Sequence, residues 1–458
     1  MLFNSYEFIF VFLPITLLIY FGIAKFKSIN MAIGFLVLAS LVFYSYWDIN
    51  NLPILLCSII FNYIMGILIE KTKSKKWLVF SIISNLSMLG YFKYSGFFIV
   101  NLNAIFNVDL PVPEIILPLG ISFFTFTQTA YLVDVYRNES KGYSFLKYSL
   151  FVTVFPHLIA GPILYHKKII PQFSEKINFI FSYKNMALGI FIFSLGLFKK
   201  VVIADRLAPW VNTVFENANS VGFVDAWLGA LGYTLQLYFD FSGYSEMAIG
   251  LGLMFNLKLP INFNLPYKST SIIDFWRRWH ISLSEFLKYY LYIPMGGNRL
   301  GEYKRMRNLF LTMLLGGLWH GAGWTFVIWG ALHGLYLMIN HFWRKIDYAI
   351  PNKLSWFITI IAVVFAWVFF RSDNINDAFN ICIAMTGLSS NLNSASIISH
   401  SKIIEVFVLF LIVLYENNMD TRIESFKPNY LFLAITIITL LSSLFYFAKV
   451  SEFLYFQF

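Results

Sequence analysis

Residues 8–24 read FIFVFLPITLLIYFGIA, an apolar run without a single charge. A bilayer core about 30 Å thick is crossed by about 20 helical residues, with 17 at the short end of the range. Phe8–Ala24 is therefore long enough to span, and Lys25 and Lys27 close the run with positive charge. Working outward, comparable apolar stretches fall at roughly 31–47, 52–69, 77–100, 115–136, 186–204, 224–255 (long or broken), 308–343 (two closely joined), 354–370, 403–415 and 429–447. Apolar runs of this length and number predict an all-α polytopic membrane protein with about 11 transmembrane helices.

Composition agrees. The 458-residue chain is 58% hydrophobic and 13% charged, against about 25% charged in soluble domains. No polar stretch between the runs reaches the ~40 residues that independent folding needs. Residues 1–458 therefore read as a single membrane-embedded domain. The first run lacks a basic leader and a small-residue cleavage site, so it reads as a span and not a cleaved signal. The net charge of +10 belongs to cytoplasmic loops before it belongs to nucleic-acid binding. Cys57 and Cys382 sit in apolar surroundings and read as core thiols, not as a disulfide or a metal site.

Charge sorts the loops. Lys71, Lys73, Lys75 and Lys76 follow the third run, whereas Asp48 follows the second and Asp109 and Glu114 follow the fourth. Arg137 and Lys141 follow the fifth. The positive-inside rule then puts the N-terminus outside. Counting back from Arg422 and Lys427, and from Arg344, Lys345 and Lys353, leaves 371–402 as an outer loop and 449–458 as an external tail.

Two stretches do not read as ordinary spans. Residues 144–173 carry Pro156, Gly161, Pro162 and Pro171. In 269–299, Ile272, Trp276, Trp279, Leu283, Leu287 and Tyr290 share one helical face, which predicts an amphipathic helix. Irregular backbone at membrane depth needs protein or a water-filled cavity around it. Re-entrant and amphipathic helices around a central funnel are the expectation.

Ionisable residues inside apolar segments mark candidate sites. His280 lies in DFWRRWHIS (274–282), His320 in GGLWHGAGW (316–324) and His333 in WGALHG (329–334). A lone buried histidine is most simply a packed, hydrogen-bonded one. Three within 54 positions, each close behind a tryptophan and two flanked by glycine, point to a site. His320 and His333 are 13 apart, unlike a helical zinc pair, and no acidic ligand adjoins them, so no metal is expected. His157 lies beside Pro156, where packing and a place in the funnel wall read equally well; His166, His341 and His400 border polar loops and read as ordinary.

These motifs, with LYIPMGGNR (291–299) and DFSGYSEMA (240–248), resemble the membrane-bound O-acyltransferases. Within that family the chain is most similar to the bacterial alginate and peptidoglycan O-acetyltransferases, and more distantly to the teichoic acid D-alanylation enzyme. The resemblance runs from Met1 to Phe458 and implies a buried catalytic His320 with His280 as the second polar residue. His333, Trp319 and Asp274 take supporting places. An imidazole suits a base near neutral pH, and a second polar group can orient the acyl carbonyl or its oxyanion. The implied donor is acetyl-coenzyme A, a polyanion. Residues 277–307 hold seven basic and two acidic side chains; Arg277, Arg278, Arg299 and Arg305 are the expected contacts, by bidentate phosphate binding. Plain positive-inside anchoring explains part of the same cluster.

The last six residues, FLYFQF (453–458), read first as an aromatic interface belt. They also resemble a C-terminal motif of these acetyltransferases. That resemblance suggests Tyr455 as a transient acyl carrier, since a phenol with a pKa of about 10 is more easily activated than an aliphatic alcohol. The implied function is acetyl transfer across the cytoplasmic membrane to a cell-envelope glycan. Peptidoglycan is the first choice of acceptor, and alginate or another exopolysaccharide the second. A periplasmic serine-esterase-like acetyltransferase is the expected partner, alongside the lipid bilayer; no nucleic acid is expected. The rival class is a transporter or flippase without covalent chemistry, which leaves the Trp-His motifs without a role.

The charge pattern makes a direct prediction. A reporter fused at Lys73 will read as cytoplasmic and one placed after Phe458 as external. The same compartment for both would remove the tail from any outer acceptor.

Overall fold

The computed structural model describes residues 1–26, 28–140, 142–346, 348–389, 397–447 and 454. Tyr455, Lys27 and Lys141, all used in the expectations above, lie outside the described residues. Helices are the only regular elements among those described. In chain order they are α1 (Leu13–Lys25), α2 (Ile29–Ser45), α3 (Leu52–Thr72), α4 (Lys75–Leu89), α5 (Ser95–Phe106), α6 (Ile121–Tyr136), α7 (Phe145–Thr153), α8 (Tyr183–Phe198), α9 (Asp205–Glu216) and α10 (Phe223–Met254). They continue with α11 (Ile272–Arg278), α12 (Ile281–Leu287), α13 (Glu302–His320), α14 (Trp324–Trp343), α15 (Asn352–Arg371), α16 (Ile375–Thr386), α17 (Ser401–Tyr415), α18 (Met419–Ser425) and α19 (Tyr430–Tyr446). Single turns and π-turns join several of them.

Four described helices are long and apolar enough to cross a membrane: Glu7–Lys25, Ile49–Thr72, Tyr183–Glu216 and Asn352–Arg371. Ile29–Ser45 and Tyr430–Tyr446 are apolar but shorter. The stretch expected to be long or broken at 224–255 is one unbroken helix of 32 residues. The run expected at 115–136 is helical only from Ile121, because Gly120 takes a left-handed φ of 71°. The stretch expected as a loop at 371–402 contains α16, started by Asn374, whose side chain accepts from the Asp377 amide. Polar capping residues at its start hide such a helix from a hydropathy reading.

Cys57, expected in the core, is exposed on α3, while Cys382 is half-buried. An apolar sequence neighbourhood marks lipid-facing positions as readily as core ones, because in a membrane both faces are apolar.

The contacts group into two compact units. The first comprises Met1–Leu197, Tyr244–Pro260 and the described residues from Lys427 onward. Its centre is aromatic: Phe8 packs 5.0 Å from Phe3 and 5.8 Å from Phe43, and Phe155 lies 5.4 Å from both Phe12 and Phe43, ring centre to ring centre. Buried polar side chains tie its helices. Asn62 and Asn85 exchange hydrogen bonds between α3 and α4 (3.0 and 2.7 Å). Gln128 on α6 donates to Ser58 (2.8 Å) and accepts from Tyr148 on α7 (3.0 Å). Such amides hold helices together where apolar lipid supplies no hydrophobic drive between them.

The second unit comprises Phe198–Gly243 and Ile261–Phe426. Its tightest feature is the α13–α14 hairpin. A Cβ on Gly317 would lie 2.3 Å from the Phe326 carbonyl oxygen and 2.9 Å from Gly330 Cα. A Cβ on Gly330 would lie 2.5 Å from the Met313 carbonyl oxygen. Backbones meet here because both residues lack side chains, the small-residue mode of membrane helix packing.

The expected amphipathic helix over 269–299 is overturned. The chain leaves α11 at Trp279 and turns through His280, a non-glycine residue in left-handed conformation (φ 42°, ψ 56°), before α12 begins. Residues 262–264 impose the break: Asn264 N–H donates to Arg278 O (2.9 Å) and Ile281 N–H donates to Asn262 O (2.9 Å). A helical wheel holds only local periodicity, so it could not register a strand-like neighbour taking over these backbone groups.

The hairpin yields a prediction. Gly330→Ala overpacks the backbone contact, which typically costs about 1–3 kcal/mol. Its thermal unfolding midpoint in detergent will fall, whereas Gly22→Ala, where nothing lies within 4 Å of the new Cβ, will not lower it. Equal midpoints for the two variants would refute the close-packing account.

Candidate functional site

Three elements bring the Trp-His motifs together in the second unit. α13 ends on His320, α14 carries Trp329 and His333, and the α11–α12 break presents Trp276, Trp279 and His280. All six side chains are buried. With Trp319, five of them form a series of ring contacts: His280 to Trp319 (6.4 Å), Trp319 to His320 (5.0 Å), His320 to Trp329 (5.0 Å), Trp329 to His333 (4.8 Å) and His333 to Trp276 (5.2 Å). Phe370 closes on His320 (5.2 Å), and Trp367 stacks on Trp329 (5.7 Å). The result is an aromatic cage with three imidazoles in its walls. His280, His320, His333 and Trp319, singled out in the sequence, do converge.

The hydrogen bonds set the polarity of two rings. Indole nitrogen only donates, so Trp276 Nε1–H donates to His333 Nδ1 (3.2 Å). Neutral His333 then carries its proton on Nε2, making that atom a donor. His280 is the reverse case. The Ser282 amide N–H donates to Asn262 Oδ1 (3.2 Å), as does the Ser282 hydroxyl (2.9 Å). The Asn262 atom facing them is therefore the accepting oxygen. His280 Nδ1 lies 3.1 Å from the same oxygen and must donate to it, so Nε2 of neutral His280 is the basic nitrogen. The second partner of a ring nitrogen fixes its tautomer. Asn262 escaped the sequence reading; an asparagine 18 positions before its histidine matches no local spacing.

The other expected residues sit apart from the cage chemistry. Asp274 accepts from Arg278 Nε on the same helix (2.9 Å), each about a third exposed. Arg277 and Arg299 are exposed. Arg305 is half-buried. Glu302, about half exposed, has its carboxyl held below the ordinary range by a hydrogen bond from Lys345, with Arg305 adding a smaller share. Asn308 donates to the carbonyls of Met295 (3.0 Å) and Gly297 (3.2 Å) and so fastens the 291–299 motif to α13.

Beside the cage lies a cavity of about 670 Å³ whose wall includes Ser271, Tyr336, Asn340, Arg344 and Thr359. Tyr336 also packs on His333 (5.8 Å), so its ring stands between the cavity and the cage. In the first unit, His166, expected to be ordinary, is fully buried between Asp134 Oδ2 (2.9 Å) and the Tyr143 hydroxyl (3.1 Å). His157 is likewise buried, its Nδ1 donating to Pro162 O (2.9 Å), which is the packing role considered for it.

The model of the membrane-bound O-acyltransferase family matches residues 9–376. The chain is 48% identical over 423 residues to the peptidoglycan O-acetyltransferase of Helicobacter pylori, covering 85% of this chain and 80% of that protein. It is 45% identical over 417 residues to the probable alginate O-acetylase AlgI of Azotobacter vinelandii, covering 87% and 81%. A teichoic acid D-alanyltransferase of Streptococcus thermophilus is 28% identical over 245 residues, covering 50% and 57%.

The assigned tautomers are open to measurement. Nitrogen NMR on isotope-labelled histidines will show His333 protonated on Nε2 and His280 on Nδ1. Trp276→Phe removes a hydrogen bond worth about 1 kcal/mol, so the His333 preference will fall about fivefold while His280 is unchanged. A Trp276→Phe spectrum identical to wild type would show that the indole does not set the ring.

Proposed function

The chain belongs to the membrane-bound O-acyltransferase family, and from that footing we propose that it carries acetyl from cytoplasmic acetyl-coenzyme A to the outer face of the cytoplasmic membrane. As an O-acetyltransferase with multiple apolar helices, it leaves the non-covalent transporter reading without support. About 11 spans around a funnel, both termini outside, complete the proposed arrangement. The family names of its relatives favour a cell-envelope polysaccharide. Peptidoglycan is the preferred acceptor because the 48% relative bears that name; alginate or a similar exopolysaccharide is second, from the 45% relative.

The observation that carries the mechanism is the cage around His320, flanked by imidazoles of opposite polarity. His320, held in that dry aromatic wall, takes the proton of the acceptor hydroxyl. The oxygen attacks the thioester carbonyl, and the carbon–sulfur bond breaks. The departing thiolate of coenzyme A receives the proton back from His320, so no proton is gained or lost overall. A donor aimed at the carbonyl oxygen is what such a step needs. His333 Nε2–H has that polarity, and His280 would have it only when protonated, which gives His333 a larger part than its sequence motif suggested. The cavity beside Tyr336, with Arg344 in its wall, is the proposed seat of the donor's arm. Arg277, Arg278, Arg299 and Arg305 are proposed phosphate contacts.

On the outer side, Tyr455 is the proposed first acceptor: its phenolic oxygen forms the ester, and a periplasmic serine-esterase-like partner passes the acetyl on. Labelled acetyl-coenzyme A tests both residues at once. Wild type will yield label on its C-terminal peptide, released by hydroxylamine. His320→Ala will lower labelling about 10²–10⁴-fold, the usual worth of general acid–base catalysis. Tyr455→Phe keeps the ring and its membrane anchoring, so it will insert normally and carry no label. Normal glycan acetylation by Tyr455→Phe would reduce the tail to an anchor, and near-normal activity of His320→Ala would move the base elsewhere.

A further inference from the structure

Two cavities of the first unit adjoin each other, and neither belongs to the His320 cage. One is an apolar groove of about 1190 Å³ along α1, lined by Leu17, Leu18, Phe21 and Phe181, with Lys25 and Lys176 also in its wall. The other is a smaller pocket of about 410 Å³ whose wall mixes Ser28, Asn30, Lys147 and Ser174 with Phe173. Ile29 is a wall of both, so the two lie side by side.

The charges are all of one sign. Three lysines line the two cavities, and no acidic residue lines either one; Glu175, next to Lys176 in the chain, is not part of the wall. Lys25 and Lys176 are exposed. Lys147 Nζ donates to the Ser174 hydroxyl (2.8 Å), which orients its charge without neutralising it. Leu18, at 74% exposure, leaves the groove open on its lipid side.

We propose that this composite site binds an anionic phospholipid. Its acyl chains lie along Leu17, Leu18, Phe21 and Phe181. Its phosphate is held by Lys25, Lys147 and Lys176, and the headgroup hydroxyls meet Ser28 and Asn30. A basic pocket at the end of an apolar helical groove has the chemistry of anionic lipid headgroup recognition. The site would tie α1, the start of α2 and the 173–181 segment to one membrane leaflet, independently of the transfer chemistry.

Native mass spectrometry of the full chain tests this with phosphatidylglycerol and phosphatidylcholine of identical acyl chains. Wild type will retain phosphatidylglycerol in preference to phosphatidylcholine. Each of Lys25→Gln, Lys147→Gln and Lys176→Gln will weaken that preference about fivefold, the usual worth of one surface cation near an anionic lipid. Leu18→Trp, which fills the groove, will weaken both lipids. Lys25→Gln and Lys176→Gln change exposed side chains and guard against a loss of folding in the half-buried Lys147→Gln. Equal retention of the two lipids, an unchanged preference in the lysine variants, or displacement of phosphatidylglycerol by free glycerol phosphate would each overturn the proposal.

Discussion

One carboxamide holds the geometry of the candidate site. Asn262 Oδ1 faces donors from His280 and from the amide and hydroxyl of Ser282, while its backbone oxygen takes the Ile281 amide. A helix broken in apolar surroundings leaves backbone groups with no water to satisfy them, at several kcal/mol each. Asn262 and its neighbours supply the missing partners. The left-handed His280, a conformation that costs of order 1–3 kcal/mol in a non-glycine residue, persists because the surrounding hydrogen bonds over-determine it. With the break in place, Trp276 and Trp279 on one side and Leu283 on the other can all point into the same core.

Other buried charges in this unit serve the same frame. Lys200 is 1% exposed and lies between Asp205 (2.7 Å) and Asp240 (2.6 Å). Lys199 and Arg422 pair with Glu416, to which Tyr238 also donates (2.8 Å). Taking charges out of water is costly, and removing one partner of such a pair typically costs 3–5 kcal/mol. Phe241, next to Asp240, packs edge-on against His280 (4.8 Å). The ion cluster thereby anchors the stretch of α10 that supports the broken-helix histidine.

The cage buries its ring nitrogens among aromatic faces. Burial behind Trp319, Trp329, Trp367 and Phe370 lowers the local dielectric, which strengthens the dipoles inside. The two tautomer-setting contacts come from different elements: an indole on α11 for His333, and a carboxamide preceding α11 for His280. Imidazoles that look interchangeable in sequence therefore carry their protons on opposite ring nitrogens.

The sequence by itself determined the membrane class, because composition and run length depend only on what a bilayer tolerates. It also singled out His280, His320, His333 and Trp319, from motifs whose residue types are costly without a purpose, and these four side chains do lie together in the fold. The resemblance carried by those motifs was enough to indicate acyl transfer. The tertiary structure decided what local pattern cannot hold. Six residues of 269–299, from Ile272 to Tyr290, would share one face of a continuous helix, yet the stretch breaks at His280, because Asn262 and Asn264 compete for the backbone hydrogen bonds a continuous helix would keep. The 371–402 stretch reads as a polar loop, yet Asn374 caps a helix there. Cys57 reads as core and is exposed, because apolar sequence does not distinguish lipid from protein. Ring polarity in particular came from the fold alone: a tautomer is set by which atom faces it across space, and neither Trp276 nor Asn262 is near its histidine in the chain.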